Sequence, residues 1–302
     1  MTSQTSHNGA VLSLGRIYCD LVFTGVPGMP RLGREIFAEN MTVALGGGAY
    51  ITAAHSAALG RPTALLARYG TDALSRAMEP ELALHGIDLR FLDRHPQAGP
   101  QVTVAIVGGE ERAFLSRRAG SAAPATLDAA LAWSQSRHLH IAEYATLVEI
   151  PDLVDRAKGR GLTVSLDPSW DETLIREPHY LDRCAGIDVF LPNMEEARVL
   201  TGKESPSEAL QALASRFPIV VLKLGAEGGM LSMDGQVVSL AARKVPVVDT
   251  TGAGDALNAG FINAWLGGAE PEACLAAGID AGAAAVQAAG GASVLTGSGQ
   301  SG

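Results

Sequence analysis

One acidic residue stands beside a glycine turn in a setting suited to proton transfer. The stretch Asp249-Thr250-Thr251-Gly252-Ala253-Gly254-Asp255 follows an apolar run at residues 245–248 and precedes an apolar-periodic run at residues 257–265. This order predicts a buried strand, a glycine turn and a helix. The first turn of a helix presents unpaired backbone N–H groups and the positive end of the helix dipole, which favours the ionised form of Asp255.

A carboxylate next to an anion-binding turn can perform chemistry in phosphoryl transfer. The carboxylate can take the proton of a hydroxyl group while the N–H groups of the turn hold a phosphoryl group beside it. An ordinary strand–helix connection, with glycines for geometry and an aspartate for the dipole, has the same spacing. Both interpretations stay open on this motif alone.

The composition indicates a globular protein and argues against several classes of partner. The 302-residue chain is 47% hydrophobic and 18% charged, with a net charge of −9 and no run of Lys or Arg, so nucleic acid is not an expected partner. Residues 1–9 lack the charged and apolar regions of a signal peptide, and no run of 18 apolar residues occurs, so neither a secretion signal nor a membrane span is expected. Cys19, Cys184 and Cys274 form no CxxC pair, which argues against disulfides or zinc and favours a cytoplasmic location.

Strands and helices alternate along most of the chain. This rhythm predicts an α/β fold with a mostly parallel sheet covered by helices on both faces. Segments 17–45 and 88–116 do not follow this alternation of strands and helices, and they contain short strand-like pieces at 34–38 and 89–92. We expect these two segments to form a small β-sheet lid beside the main sheet.

No internal repeat or linker divides the chain, so residues 1–302 are expected to form one domain. Residues 293–302 are expected to be a flexible tail. A GxGxxG pattern at 297–302 belongs to that tail, because no helix can follow it.

Polar residues follow several predicted strands. Asn193 and Glu196 open a helix after the strand at 189–191, which fits either a helix cap or a site that organises Mg²⁺-bound water and phosphates. Glu143 lies at the carboxyl end of another strand, where ligands of parallel sheets collect. Asp20 interrupts a strand-like run and is either an edge residue or an acceptor for two ligand hydroxyls.

Two glycine clusters and a histidine pair complete the candidates. Gly46-Gly47-Gly48 precedes a predicted helix and fits simple loop geometry or a close approach of backbone to a polyhydroxylated ligand. The stretch Lys223-Leu-Gly-Ala-Glu-Gly228 fits a hairpin or a tight turn near a ligand. His138 and His140 share one strand face and, without a third ligand, are assigned to packing rather than to a metal.

Taken together and in this order, these motifs resemble the ribokinase-like (PfkB) carbohydrate kinase family over residues 11–292. The most specific element is the stretch 249–255. The supporting matches are Gly15 through Asp20, Gly46-Gly47 with Gly60, Gly70 with Asp72, Gly86-Ile-Asp88, Asn193 with Glu196, and Gly225 with Gly228. The resemblance implies a ribokinase-like three-layer sandwich with a mostly parallel central sheet and a small β-sheet lid.

The resemblance also implies a function: ATP- and Mg²⁺-dependent phosphorylation of a hydroxyl on a sugar or nucleoside. Asp255 would be the base, and the N–H groups of Gly252, Ala253 and Gly254 would form the anion hole. The acceptor would lie against Asp20, Gly47, Gly48, Glu143 and Asp255. The donor side would comprise Asn193, Glu196 (a Mg²⁺ ligand through water), Lys223, Gly225, Gly228 and Gly254. Asp249 and Thr251 occupy positions that coordinate a monovalent ion such as K⁺ in cation-activated members, and the lid implies a homodimer.

Two departures from the family pattern concern the acceptor. Ile51 stands where the family usually has an Asn that helps to hold the acceptor, and Gly47-Gly48-Ala49 replaces the Gly-Lys-Gly variant typical of ribokinases proper. Ribose is therefore not the default substrate. Three hypotheses follow: a sugar kinase, a nucleoside kinase in which Ile51 packs against a base, and a sugar-binding regulator without turnover.

Overall fold

The computed structural model describes residues 9–108, 111–288, 290–292 and 295. Its strands, in chain order, are β1 (Ala10–Leu14), β2 (Tyr18–Thr24), β3 (Asn40–Gly46), β4 (Thr63–Leu66), β5 (Arg68–Tyr69), β6 (Asp93–Arg94), β7 (Val102–Gly108), β8 (Glu111–Arg117), β9 (Ser136–Ile141), β10 (Thr163–Leu166), β11 (Val189–Phe190), β12 (Ile219–Lys223), β13 (Gly229–Met233) and β14 (Gln236–Leu240).

Eight of these strands form one sheet in the order β14-β13-β12-β11-β10-β9-β1-β4. The pairs from β4 to β12 are all parallel, and β13 and β14 add an antiparallel edge. The parallel strands are largely buried on both faces, as expected for a sheet covered on both sides. The carboxyl ends of β1, β9, β10, β11 and β12 therefore meet along one edge of the sheet, where ligands bind in open α/β folds.

The helices occupy two layers. They are α1 (Gly48–Ala58), α2 (Ala73–Leu82), α3 (Leu127–Leu131), α4 (Tyr144–Glu149), α5 (Leu153–Lys158), α6 (Tyr180–Arg183), α7 (Met194–Thr201), α8 (Pro206–Ala214), α9 (Ala253–Leu266) and α10 (Pro271–Ala285). Leu12 and Leu14 of β1 face α3 to α8, whereas Val11 faces α9 and α10. Helix α1 packs beside α9. The result is the expected three-layer α/β sandwich.

A separate four-stranded sheet in the order β3-β2-β7-β8 forms the lid. The β2–β3 and β7–β8 pairs are antiparallel, and β2 pairs with β7 in parallel. Because neighbouring side chains on a strand point to opposite faces, one face of the lid can border a ligand while the other faces outward. No helix in the described part of the chain is long and apolar enough to cross a membrane.

Three segments that the sequence predicts to be strands do not form strands in the structure. Residues 245–248 are irregular and largely exposed. They do not join a sheet, because Pro246 has no N–H group to donate to a neighbouring strand and the N–H group of Val248 donates to the carbonyl of Val286. Residues 34–38 have no strand structure. Residues 89–92 form a turn, and the strand begins at Asp93, where β6 pairs with β5 outside the lid. Except for Leu295, the expected tail at 293–302 lies outside the described residues.

Candidate active site

A cavity of about 250 Å³ opens between the lid and the carboxyl edge of the main sheet. Its walls come from β2 and β7 of the lid, the start of α1, the loops after β9 and β10, and the turn before α9. The lining residues are Arg16, Tyr18, Asp20, Gly47, Gly48, Ala49, Ile51, Thr103, Ala142, Glu143, Ser169, Thr251, Gly252 and Asp255. The structure thus brings together all five residues expected on the acceptor side.

The glycine turn places Asp255 in the first turn of α9. Gly252 caps this helix with φ 74°, a left-handed conformation that favours glycine. A Cβ atom there would also lie 2.6 Å from the Cα of Gly291, so both conformation and space require glycine. The N–H groups of the first turn have no carbonyl partner inside α9, and Ala253 N–H makes a long 3.3 Å bond to Thr250 O before the helix.

Burial raises the pKa of Asp255 to about 7, and the negative charges of Asp167 and Glu196 act in the same direction. The ammonium group of Lys223 opposes this rise. A carboxyl group with a pKa near neutrality can be ionised to accept a proton and can also release it again. Asp255 therefore has the acid–base properties that a general base needs.

Asp20 and Glu143 face the cavity from opposite walls. Burial raises the pKa of Asp20 to about 6, with the charges of Glu81 and Asp249 adding to the effect. A side chain at Gly46 would overlap the Asp20 carboxylate, so the glycine that ends β3 makes room for it. Gly47 has φ 96° and packs against the backbone of Arg16, which again requires glycine.

Glu143 is held by Arg16, a residue that the sequence did not single out. Arg16 Nη1 donates to Glu143 Oε1 at 3.2 Å, and Arg16 Nη2 donates to Glu149 Oε1 at 2.7 Å and to Gly120 O at 2.8 Å. The Thr146 hydroxyl donates to the same Oε1 of Glu143. Arg16 is 3% exposed, so its charge is neutralised by these carboxylates inside the protein.

Asn193 and Glu196 form a complete capping box at the start of α7. Asn193 Oδ1 accepts from Glu196 N–H at 2.9 Å, and Glu196 Oε2 accepts from Asn193 N–H at 2.8 Å. Each side chain uses one atom for the cap, so Glu196 Oε1 and Asn193 Nδ2 take no part in it. Glu196 is 2% exposed, and burial together with the charge of Asp167 raises its pKa to about 7. The capping and ligand-binding interpretations are thus compatible.

Lys223, at the end of β12, is buried and ion-paired with Asp167, which follows β10. Burial disfavours the ammonium, but the charges of Asp167 and Glu196 outweigh this and raise the pKa of Lys223. A Cβ atom on Gly254 would lie 3.5 Å from Lys223 Nζ. The ammonium and the glycine turn therefore border the same space.

Four further residues that the sequence analysis named, Gly225, Gly228, Asp249 and Thr251, shape the turns on either side of the site. Gly225 and Gly228 shape the turn from β12 to β13, where Gly228 packs against the backbone of Leu240 and Gly225 borders open space. Asp249 Oδ1 accepts from the N–H and hydroxyl of Thr251, and its Oδ2 accepts from Gly290 N–H. These bonds fix the segment before the glycine turn.

Ile51 lines the cavity but also packs against the glycine turn before α9. Its side chain lies against Gly252 and Gly291, so Cβ atoms at those glycines would approach Ile51 Cδ1 at 3.1 Å and 2.5 Å. His138 and His140 are buried and bonded to the hydroxyls of Thr163 and Ser165. Among the described residues, no group of three or more His, Cys, Asp or Glu side chains is arranged to hold a metal.

Comparison with known proteins places these features in a family. The model for "pfkB family carbohydrate kinase" matches residues 29–296. A ribokinase from Haemophilus influenzae is 28% identical over 265 residues, which are 84% of this chain and 84% of that protein. A fructokinase from Escherichia coli is 29% identical over 221 residues, which are 68% of this chain and 72% of that protein.

A solved structure of Arabidopsis thaliana ribokinase complexed with ribose and ATP superposes with a TM-score of 0.83. It is 23% identical and covers 95% of both chains. At this identity the superposition shows that the fold is shared, and it agrees with the three-layer sandwich and lid described above.

Proposed function

Because this chain belongs to the PfkB family of carbohydrate kinases, we propose that it transfers the terminal phosphoryl group of ATP to a hydroxyl of an uncharged sugar. The observation that carries the proposal is the position of Asp255. Its carboxylate lines the acceptor cavity, while the helix turn that carries it borders Lys223. One carboxylate thus stands between the space for a polyol and the space for a phosphate.

In the proposed reaction Asp255 takes the proton from the acceptor hydroxyl. The hydroxyl oxygen forms the new bond to the terminal phosphorus, and the bond from that phosphorus to the bridging oxygen breaks, which leaves ADP. The N–H groups of Gly252, Ala253 and Gly254 and the Lys223 ammonium stabilise the charge on the transferring group. The lid and the buried Arg16–Glu143 pair limit the access of water that would otherwise compete with the sugar.

The donor side has the residue types that Mg²⁺ and a triphosphate need. Glu196 is a buried carboxylate whose Oε1 is not used by the cap, and hard oxygen ligands suit Mg²⁺. We assign Glu196 and Asn193 to the waters of a Mg²⁺ ion, which neutralises phosphate charge when bound. Lys223 lies nearest the turn, and Gly225 and Gly228 shape the loop beyond it, along which the nucleotide is proposed to lie.

The charges around the acceptor cavity support an uncharged substrate. Three carboxylates line it, those of Asp20, Glu143 and Asp255, and Arg16 is the one Lys or Arg among the described lining residues. Arg16 is already paired with Glu143 and Glu149. A sugar acid or sugar phosphate would bring further negative charge without a cation to meet it, whereas hydroxyl groups can donate to Asp20 and Glu143.

The experiment is an ADP-release assay with Mg·ATP against neutral pentoses and hexoses, sugar acids, sugar phosphates and nucleosides, with mass spectrometry of the product. The proposal requires turnover on a neutral sugar and a product heavier by one phosphoryl group. Preferred turnover of a nucleoside would replace it by the nucleoside-kinase hypothesis. Ligand-dependent melting without ADP release from any acceptor would favour the binding-protein hypothesis.

Two further features belong to this proposal. The outward face of the lid has an apolar groove lined by Phe23, Ile36, Phe37, Met41 and Ile106, among others, and we propose that a second copy of the chain covers it in a homodimer. Asp249 and Thr251 are the proposed link to a monovalent cation. A comparison of turnover in KCl and in NaCl at equal ionic strength tests that link.

A further inference from the structure

Asp167 accepts hydrogen bonds from three different parts of the site. Its Oδ2 accepts from Lys223 Nζ at 2.6 Å and from Asn258 Nδ2 at 2.6 Å. Its Oδ1 accepts from the backbone N–H of Ser169 at 3.0 Å. The residue follows β10 directly, at the same sheet edge as Glu143 and Asn193.

Each of the three partners belongs to a different functional surface. Lys223 borders the glycine turn through its close approach to Gly254. Asn258 lies on α9 three residues after Asp255, on the buried side of the helix. Ser169 lines the acceptor cavity and has φ 52°, a strained conformation for a residue other than glycine. A single carboxylate therefore contacts the donor side, the helix of the base and the acceptor loop.

The contacts are almost fully enclosed by protein. Asp167 is 6% exposed, Lys223 is 9% exposed, and Asn258 is fully buried. A buried ion pair is a weak source of stability, because the loss of hydration opposes the attraction between the charges. Its geometry is nevertheless well defined, because two donors share one oxygen. Holding the ammonium in one place is a role that fits these properties.

We propose that Asp167 is a positioning residue for phosphoryl transfer, whose carboxylate holds the Lys223 ammonium against the glycine turn and ties the helix of Asp255 and the acceptor loop to the same point. The inference rests on the kinase function proposed above. Without Asp167, Lys223 loses its fixed position beside the phosphoryl group, and the Asn258 amide loses its acceptor after β10.

Asp167 also contributes to the electrostatic field at Asp255. The charged groups that face Asp255 are Lys223 from β12, Asp167 from the loop after β10 and Glu196 from α7. His140 stands behind Asp167 on β9, and burial lowers its pKa to about 4, so it is neutral near pH 7. The Asp167 charge raises the pKa of Asp255. Removing that charge should shift the acidic limb of activity to lower pH, which a purely structural contact would not do.

The test compares wild type, Asp167→Asn, Lys223→Met and the double variant, with kcat, both KM values and a pH profile for each. We expect Asp167→Asn to lower kcat about 100-fold, with an acidic limb displaced to lower pH, because a preorganised charge contributes on that scale. Since Asp167 acts largely through Lys223, the loss in the double variant should be clearly smaller than the product of the two single losses.

Asp188→Asn is the matched control. Asp188 pairs with Lys158 at 2.5 Å and accepts from Val164 N–H, so it has the same kinds of contact as Asp167, but it lies at the amino edge of the sheet. This variant should keep kcat and the pH profile of the wild type. If Asp188→Asn and Asp167→Asn have similar melting temperatures, a loss of kcat in Asp167→Asn alone is not due to a general loss of stability.

The outcomes separate the two proposals. An inactive wild type would contradict the kinase function itself. If the wild type is active and Asp167→Asn has a normal kcat, the positioning role is overturned. The same holds if the kcat loss of the double variant equals the product of the two single losses and the acidic limb does not shift. If Asp167→Asn does not fold, Asp167→Glu takes its place: it keeps the charge but displaces the ammonium, so kcat should fall at least about tenfold with an unchanged acidic limb. Unchanged kcat in this variant would equally overturn the role.

Discussion

Gly48 lies directly against the carboxylate of Asp255: a Cβ atom added to Gly48 would stand 2.8 Å from Asp255 Oδ1. The same atom would lie 3.3 Å from Ala142 Cβ, so a methyl group cannot simply turn away. The Thr52 hydroxyl of α1 donates to the backbone carbonyl of Asp255 in α9, 203 residues away in the sequence, and this contact joins the starts of the two helices. Together they leave the base in contact with the acceptor cavity.

Gly48→Ala should displace the carboxylate of Asp255 and lower kcat by at least about tenfold, because a misplaced base loses the near-attack geometry. The fold should remain, since α1 tolerates alanine and the contact involves a side-chain oxygen. Steady-state kinetics and thermal melting check both parts. Gly28→Ala is the control, because a Cβ atom at Gly28 has open space around it. Wild-type kcat in Gly48→Ala would contradict the contact.

The pH dependence of kcat/KM should report Asp255 and Asp20. Burial raises the pKa of Asp255 to about 7 and that of Asp20 to about 6. Both carboxyls are protonated below these values, and a protonated carboxyl cannot accept a proton or two hydroxyl hydrogen bonds. The rate constant should therefore fall as the pH drops below about 7 and fall more steeply below about 6. Melting measured at each pH controls for unfolding, and a flat profile across this window would contradict the assignment.

Asp20→Asn should weaken acceptor binding. An ionised carboxylate accepts two hydrogen bonds from hydroxyl groups, whereas an amide accepts them with one end only. We expect KM for the sugar to rise at least about tenfold, because bonds to a charged acceptor contribute on that scale. KM for ATP should stay near the wild-type value, and this internal comparison serves as the control. An equal change in both KM values would argue against a role on the acceptor side.

A charge on the outward face of the lid should separate the proposed homodimer. Met41, on β3, is 53% exposed and lines the apolar groove. Met41→Lys would bury an unpaired ammonium in the interface, so the molar mass from light scattering should fall from twice that of the chain to that of one chain. Val237→Lys is the control, because Val237 is 65% exposed on β14 of the main sheet. A wild-type protein that is monomeric at micromolar concentration would contradict the proposal.

The family and the fold could be predicted from sequence because they depend on local patterns. In the stretch 249–255, the spacing of the glycines and Asp255 is the one that a turn followed by a helix requires. The alternation of predicted strands and helices indicated the parallel sheet. The edge rule also brought Glu143 and Asn193 to the right side of the sheet. The strand predicted at 245–248 was wrong, because an apolar run alone cannot distinguish a strand from an irregular segment that hydrogen-bonds to Val286 at the end of α10.

Asp167 and Arg16 were missed for a different reason. Asp167 follows its strand just as Glu143 does, so the same edge rule contains a signal for it. Its importance comes from partners 56 and 91 residues away, Lys223 and Asn258, and such contacts exist only after the sheet has formed. Arg16 likewise meets Glu143 and Glu149 across more than one hundred residues, at separations of 127 and 133. No local spacing predicts these pairs.

The kinetics of Asp255→Asn test the central claim most directly. The substitution keeps the size of the side chain and removes its ability to take a proton. With the preferred neutral sugar and Mg·ATP, kcat should fall by about 10³-fold or more, because general base catalysis contributes on this scale. Thermal shifts with the sugar and with a non-hydrolysable ATP analogue should match the wild type, which shows that binding is intact. Turnover within about threefold of the wild type, where a base contributes at least about 100-fold, would contradict Asp255 as the base.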